Sequence, residues 1–244
     1  MDSLTAIAAS GLRARMESLD LLANNIANAS TGGYKADREF YGVYAAEEAR
    51  DADQASTMPV IERPWIDFAQ GVVQVTGNPL DVAISGAGFL AVQAPAGTLY
   101  TRNGRLRLAA DGRLLSAEGY PLRGVGGGVL TLQPSRPVDI TQDGTVQQDG
   151  NIVGQLEIAD FTSTAGLAKQ GANYLRVTDP GLRPSTPTGT AVEQGKLEAS
   201  NTASAEAAVH LVSVMRQFEM LQKAVSLGAE MNRQAVEEVA KIAT

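Results

Sequence analysis

The sequence predicts an α+β protein whose N- and C-terminal helices pair as a coiled-coil-like hairpin, with an antiparallel β domain inserted between them. Three observations carry that expectation. Both ends repeat apolar residues at alternating spacings of about three and four, the period of a helical seam. All ten prolines fall between Pro59 and Pro187, so the middle must be built differently from the ends. That middle alternates short β-type runs with turns rich in Asn, Asp and Gly. The expected divisions are residues 1–35 for the first helix, 36–70 for a connector, 71–198 for the β-rich domain and 199–244 for the last helix.

In the first segment Leu12, Met16, Leu19, Ala23 and Ile26 form the seam, with Leu4 and Ala8 extending it backwards. The helix is expected to stop near Asn28-Ala29-Ser30-Thr31-Gly32-Gly33, because Asn and Gly adopt the left-handed backbone that ends helices. Residues 36–70 are polar and carry the acidic run Glu47 to Asp53, with Pro59 and Pro64 after it; the reading is a connector, partly helical at its start. Strands are then expected at 72–75, 80–84, 89–93, 99–101, 106–108, 138–140, 156–158 and 174–177. Between them, Gly77-Asn78-Pro79, Asn103-Gly104, Asp111-Gly112, Asp143-Gly144 and Asp149-Gly150 read as tight turns, where these residues tolerate positive φ. Gly124 to Gly128 reads as a flexible hairpin tip.

The C-terminal segment has the strongest periodicity: Leu211, Val214, Phe218, Leu221, Val225, Gly228, Asn232, Ala235, Val239 and Ile242. Ser200, Asn201, Thr202 and Ser204 are N-cap candidates, and Glu206 suits the positive end of the helix dipole, so the start is placed near Thr202. Gly228, Asn232 and Ala235 bury little apolar surface, which makes this a weak seam for a lone hairpin. Such a seam wants several neighbours.

Composition excludes several function classes. With 27 acidic against 20 basic residues the formal charge is −7, and the basic residues are scattered singly, so nucleic acid is not an expected partner. There is no cysteine, hence no thiolate nucleophile and no Cys-ligated zinc. No apolar run reaches the roughly 18 residues that span a bilayer, so membrane insertion is not expected. The Met1-Asp2-Ser3-Leu4 start places an acid where a cleavable signal needs positive charge, and Arg13 interrupts the apolar stretch.

The residues with chemical potential have plainer readings. His210 lies one turn after Glu206, but one histidine without a second or a cysteine makes a poor zinc site. The glycines from Gly124 are not followed by the Lys-Ser or Lys-Thr of a phosphate loop. Ser85 lacks the glycine two residues before it that a nucleophile elbow requires. The pairs Glu47-Glu48 and Asp51-Asp53 match neither calcium-loop spacing nor a strand end, and suit a solvated connector. No catalytic residue, metal or cofactor is expected.

Three motifs carry a resemblance. Ala23-Asn24-Asn25-Ile26-Ala27-Asn28-Ala29-Ser30-Thr31-Gly32-Gly33-Tyr34-Lys35 resembles the N-terminal signature of the bacterial flagellar rod and hook proteins. Thr76 to Val92 with Tyr100-Thr101-Arg102-Asn103-Gly104 resembles that family's central β segment. Gly195-Lys196-Leu197-Glu198-Ala199-Ser200-Asn201 with Met215-Arg216-Gln217-Phe218-Glu219 resembles its run into the terminal helix. The resemblance implies a structural subunit of the flagellar basal body, not an enzyme, carried out by the flagellar type III export apparatus without a cleaved signal. It also implies terminal helices in the inner layer of a periplasmic tube, with the β domain outside them. Within the family the short start and modest length look most like the proximal rod, and next the distal rod.

The expected assembly interface follows from seam and resemblance together: Leu12, Met16, Leu19, Ala23, Asn24, Asn25, Ile26 and Asn28 at one end, and Leu211, Val214, Phe218, Leu221, Val225, Gly228 and Asn232 at the other. Its partners would be further copies of the chain and other rod subunits. For the asparagines the plainer reading is a frayed helix end with solvated amides; the family match favours amides that bond across subunits and fix register. Two readings of other classes stand beside this one. A periplasmic wall-cleaving enzyme would use carboxylates of the β domain, and a binding module that trimerises through its last helix would have helices stable without rod partners.

Overall fold

A computed structural model describes residues 3–39, 41–45, 57–61, 64–171 and 173–242. The chain divides into two compact units, Met1–Ala27 with Ala36–Asp67 and Ala203–Thr244, and Asn28–Lys35 with Phe68–Thr202. The two terminal helices contact each other, and an antiparallel β region is inserted between them in sequence.

The first unit is built on α1 (Ser3–Ala27), β1 (Asp37–Arg38), β2 (Tyr41–Ala45), β3 (Thr57–Ile61), β4 (Trp65–Ile66) and α2 (Ser204–Ile242). Its helices begin and end close to where capping chemistry places them. α1 stops at Ala27, just before Asn28. α2 starts at Ser204, two residues after Thr202, where the Ala207 N–H already donates to the Ala203 carbonyl at 2.9 Å, and Glu206 lies in its first turn. Gly11 of α1 faces Leu221 of α2, about as far from the end of one helix as from the start of the other, as in an antiparallel pair.

The stretch expected as a connector, partly helical, holds four short strands instead. β2 pairs antiparallel with β3, Tyr41 opposite Ile61 and Ala45 opposite Thr57, and β1 pairs with β4. α1 packs on β3 and β1 as well as on α2. These strands have no alternating apolar pattern to announce them; backbone pairing alone defines such ribbons. The acidic pairs Glu47-Glu48 and Asp51-Asp53 lie outside the described residues.

The second unit contains β5 (Val73–Val75), β6 (Val82–Ser85), β7 (Phe89–Ala94), β8 (Gly97–Thr101), β9 (Leu106–Leu108), β10 (Leu114–Ser116), β11 (Asp139–Ile140), β12 (Thr145–Gln148), β13 (Asn151–Gln155), β14 (Ile158–Ala159), β15 (Leu167–Gln170), β16 (Tyr174–Val177), β17 (Ala191–Gln194) and β18 (Lys196–Glu198). Every ladder is antiparallel. The largest sheet runs β14-β7-β8-β16-β15, a second runs β11-β12-β13, and β5/β18, β6/β17 and β9/β10 form ribbons. Inward residues of these strands and of the segments between them, among them Val82, Ile84, Leu90, Val92, Leu114, Leu122, Val146, Leu156 and Val192, make one continuous buried core. Phe89, Phe161 and Tyr100 add a chain of ring contacts, with the Tyr100–Phe161 pair edge-to-face at 4.9 Å.

Two turns show how sequence chemistry succeeds and fails here. Asp149-Gly150 joins β12 to β13 with φ of 50° and 76°, the double positive φ of a two-residue hairpin. Asn103-Gly104, read as the same kind of turn, is not one. Gly104 has no positive φ, and a Cβ on it would stand 1.7 Å from the Val82 carbonyl oxygen, which makes it a point of close backbone approach. The Val82 N–H donates to the Gly104 carbonyl at 2.9 Å, fixing the start of β6. Gly104→Ala should therefore push β6 out of register and destabilise the β unit by about 3 kcal/mol, read as a lowered urea midpoint.

Candidate assembly surface

α2 is apolar on two faces. Leu211, Val214, Phe218, Leu221, Val225 and Gly228, six of the residues expected as the seam, are buried or half-buried, with Val214 almost fully so. At the far end the seam opens: Asn232 is exposed, and among the described residues nothing outside the helix's own backbone lies within 4 Å of the place a Cβ on Gly228 would take. Length explains the exposure of Asn232, since the 39 residues of α2 outrun the 25 of α1. On nearly the opposite side of the helix Val209, Val212, Met220, Leu227 and Met231 form a second stripe, each about half exposed or more, with Val209 at 72%. Val209, Val212, Ser213, Arg216 and Met220 line an open groove along it.

On α1 the inward face differs from the expected one. Among the described side chains the buried positions are Ala14, Ser18, Leu22 and Asn25, while Met16 is 55% exposed and Ala23 and Asn24 are exposed too; Leu12, Leu19, Ile26 and Asn28 are half-buried. The helix is thus turned by about a third of a turn from the stripe read off the sequence. Gly11 lies on the same side as Ala14 and Ser18 and meets the Leu221 side chain of α2.

Asn25 is buried, and its amide bonds within the chain. Its Nδ2 donates to the Asp37 carbonyl at 2.7 Å, and its Oδ1 accepts the Asp37 N–H at 2.9 Å. The side chain thereby completes the backbone bonding of Asp37, the first residue of β1. Removing it in Asn25→Leu strands both backbone groups and should cost the helical unit about 1–3 kcal/mol by thermal or urea unfolding, with the β unit unaffected.

The second unit explains the remaining motif residues, whose role the sequence did not disclose. Glu198, fully buried at the end of β18, accepts Lys35 Nζ on Oε1 at 2.5 Å and Arg102 Nη1 on Oε2 at 3.1 Å. The Gly71 N–H adds 3.0 Å to Oε1, and the Gly33 N–H reaches the Glu198 carbonyl at 2.8 Å. Lys35 also holds the Ala69 carbonyl at 2.8 Å, as does the Asn201 amide at 3.1 Å. Arg102 reaches Ile84 O and Gly86 O through Nη1 and Nη2. The three motifs therefore converge on one carboxylate, which satisfies the ends of segments far apart in sequence. Gly33, at φ 65°, lies so close to Arg102 that a Cβ would stand 2.2 Å from its carbonyl carbon.

Among the described residues no group of acidic or histidine side chains is arranged to hold a metal, and no helix is long and apolar enough to cross a membrane. His210 is exposed on α2.

Comparison with known proteins agrees with these features. Residues 6–35 match the family described as flagella basal body rod protein, residues 83–153 the flagellar hook protein FlgE/F/G D1 domain, and residues 193–238 the flagellar basal body rod FlgEFG protein C-terminal region. The flagellar basal-body rod protein FlgF of Caulobacter vibrioides is 34% identical over 99% of this chain and 100% of its own length. FlgF of Mesorhizobium japonicum is 31% identical over 87% of this chain and 88% of its own. The flagellar basal-body rod protein FlgG of Agrobacterium fabrum is 32% identical over 93% of this chain and 95% of its own. With the signature that ends α1, the β segment and the run into α2 all matched in order, the chain belongs to the flagellar basal-body rod FlgEFG family, whose members are structural and not enzymes.

Proposed function

We propose that this subunit builds the proximal rod, polymerising through α1 and α2 with copies of itself and other rod subunits into a periplasmic, torque-transmitting shaft. The observation that carries this reading is the second apolar stripe of α2, Val209 to Met231. A helix that is apolar on opposite faces needs more than one neighbour, and contiguous exposed apolar surface marks an interaction site. Met16 and Ala23, exposed on α1, would add to that contact, while Leu221 packs against Gly11 within the chain. Export through the flagellar type III apparatus, without a cleaved signal, belongs to the same proposal; ordering of the terminal helices on packing would confine growth to the tip.

Deleting the gene should leave basal bodies that stop at the base of the rod and lack the distal-rod protein. Complete basal bodies in that strain would overturn the proposal. The full-length FlgG matches favour one second reading, the distal rod itself. In that case the deletion strain would hold partial rods containing the other rod proteins. Phe218→Asp should abolish incorporation while leaving a protease-resistant β unit; a collapsed β unit would contradict that division of labour.

A further inference from the structure

Asn103-Gly104 is the one Asn-Gly pair in the chain. In a flexible chain such a pair reacts with itself, because glycine places no side chain beside its own amide nitrogen. The Gly104 nitrogen attacks the side-chain carbonyl carbon of Asn103 and gives its proton to solvent, while the side-chain nitrogen takes up a proton and leaves as ammonia. One water then opens the resulting succinimide ring at either carbonyl. The products are aspartate and, more often, isoaspartate, whose backbone runs through the side-chain carbon and is one methylene longer. No oxidant or reductant takes part.

In the folded β unit the same pair is held on both sides. Asn103 is only 9% exposed, its Oδ1 accepts the Arg105 N–H at 3.2 Å, and its own N–H donates to Thr101 Oγ1 at 3.0 Å. That Oδ1 also lies 3.1 Å from where a Cβ on Gly32 would stand. Before the pair, Arg102 is fixed by Glu198 and by the carbonyls of Ile84 and Gly86, and the Asn103 nitrogen lies 2.3 Å from the place of a Cβ on Gly33. After it, Gly104 lies against the Val82 carbonyl and accepts the Val82 N–H at 2.9 Å. Closing the ring pulls the Asn103 side-chain carbon onto the Gly104 nitrogen, so both residues must first leave these contacts. The reaction therefore proceeds from opened forms of the unit, in proportion to their population.

We infer that Asn103 is a deamidation site gated by folding: reactive in the unfolded chain, protected in the native β unit, and incompatible with that unit once it has become isoaspartate. The added methylene has no room, since the backbone meets Gly33 on one side of it and Val82 on the other. The minor aspartate product keeps the acceptor for the Arg105 N–H and is accommodated. A chain aged while unfolded is thus barred from closing the point where the Gly32-Gly33 and Arg102-Asn103-Gly104 motifs meet.

The test keeps the purified full-length chain in guanidinium chloride and in buffer alone, at one mildly alkaline pH and one temperature. Samples taken over days are denatured and cut with chymotrypsin after Tyr100 and Leu106, so that peptide 101–106 reports Asn103 by mass and its two products by chromatography. The exchange of amide for carboxyl should appear in the unfolded chain and be roughly tenfold or more slower in the native one. In Glu198→Ala, which loosens the unit, the rate in buffer should rise toward the unfolded rate, and Asn103→Gln should show no exchange in either condition over the same time. When the aged mixture is refolded and trimmed with trypsin, isoaspartate should be lost from the protease-resistant β unit while aspartate is retained. Equal rates in native and unfolded chains, no exchange in either, or isoaspartate carried into the resistant unit in proportion to aspartate would each overturn the assignment.

Discussion

Glu198→Ala is expected to destabilise the β unit by about 3 to 5 kcal/mol, because it leaves Lys35 and Arg102 buried without their shared carboxylate. The loss extends beyond the two ion pairs. The Gly71 N–H also forfeits its acceptor, and the segment around Ala69 to Gly71 loses the group that ties it to β18. Urea unfolding followed by tryptic mapping should show residues 68–202 cleaved at denaturant concentrations the parent resists. Glu198→Gln separates charge from shape, since its amide keeps one acceptor while removing the negative charge. It should retain part of the stability. A Glu198→Ala protein with the parent midpoint would show that the cluster is not the point that holds the unit together.

The opposite pattern is expected of Val212→Asp combined with Met220→Asp. Both side chains are half exposed or more on the outer stripe of α2, so the monomer should unfold within about 0.5 kcal/mol of the parent. Incorporation into rods should be lost, because two carboxylates would have to be desolvated in an apolar contact between subunits. Motility assays and electron microscopy of isolated basal bodies give the readout. Glu198 and the outer stripe thus divide the chain's two tasks, with the first change striking the fold and the second striking assembly alone.

The architecture was legible because the sequence states it in three independent ways. Helical period, proline distribution and turn residues each pointed to paired terminal helices around a β region, and α1 and α2 end and begin within a few residues of their caps. The inner face of α2 was legible for the same reason, since a stripe from Leu211 to Val225 has large apolar residues at every step. On α1 the stripe of large residues is not the buried one: Ala14, Ser18 and Asn25 are buried beside Leu22, and small or polar residues leave no hydrophobic signature. The ribbons between Asp37 and Ile66 escaped because their pairing is made by backbone, which every sequence carries.

The role of Glu198 was hidden for a different reason. Lys35, Arg102 and Glu198 stand within three separate motifs, and nothing local marks a Lys or Glu that will be buried; only the fold brings them within 3.1 Å. Asn25 was noticed as an odd residue in a helix, and its physical reason is equally non-local, a backbone twelve residues further on.

The absence of cysteine allows a direct test of the assembly claim, because one introduced thiol is the only maleimide target in the chain. In Met220→Cys, labelling is measured on the purified monomer and on intact basal bodies, with the labelled peptide of this chain identified by mass spectrometry. If the outer stripe of α2 is a subunit contact, the thiol should react freely in the monomer and be protected in the rod. Equal labelling in both would leave the stripe facing solvent in the assembled shaft and contradict the account.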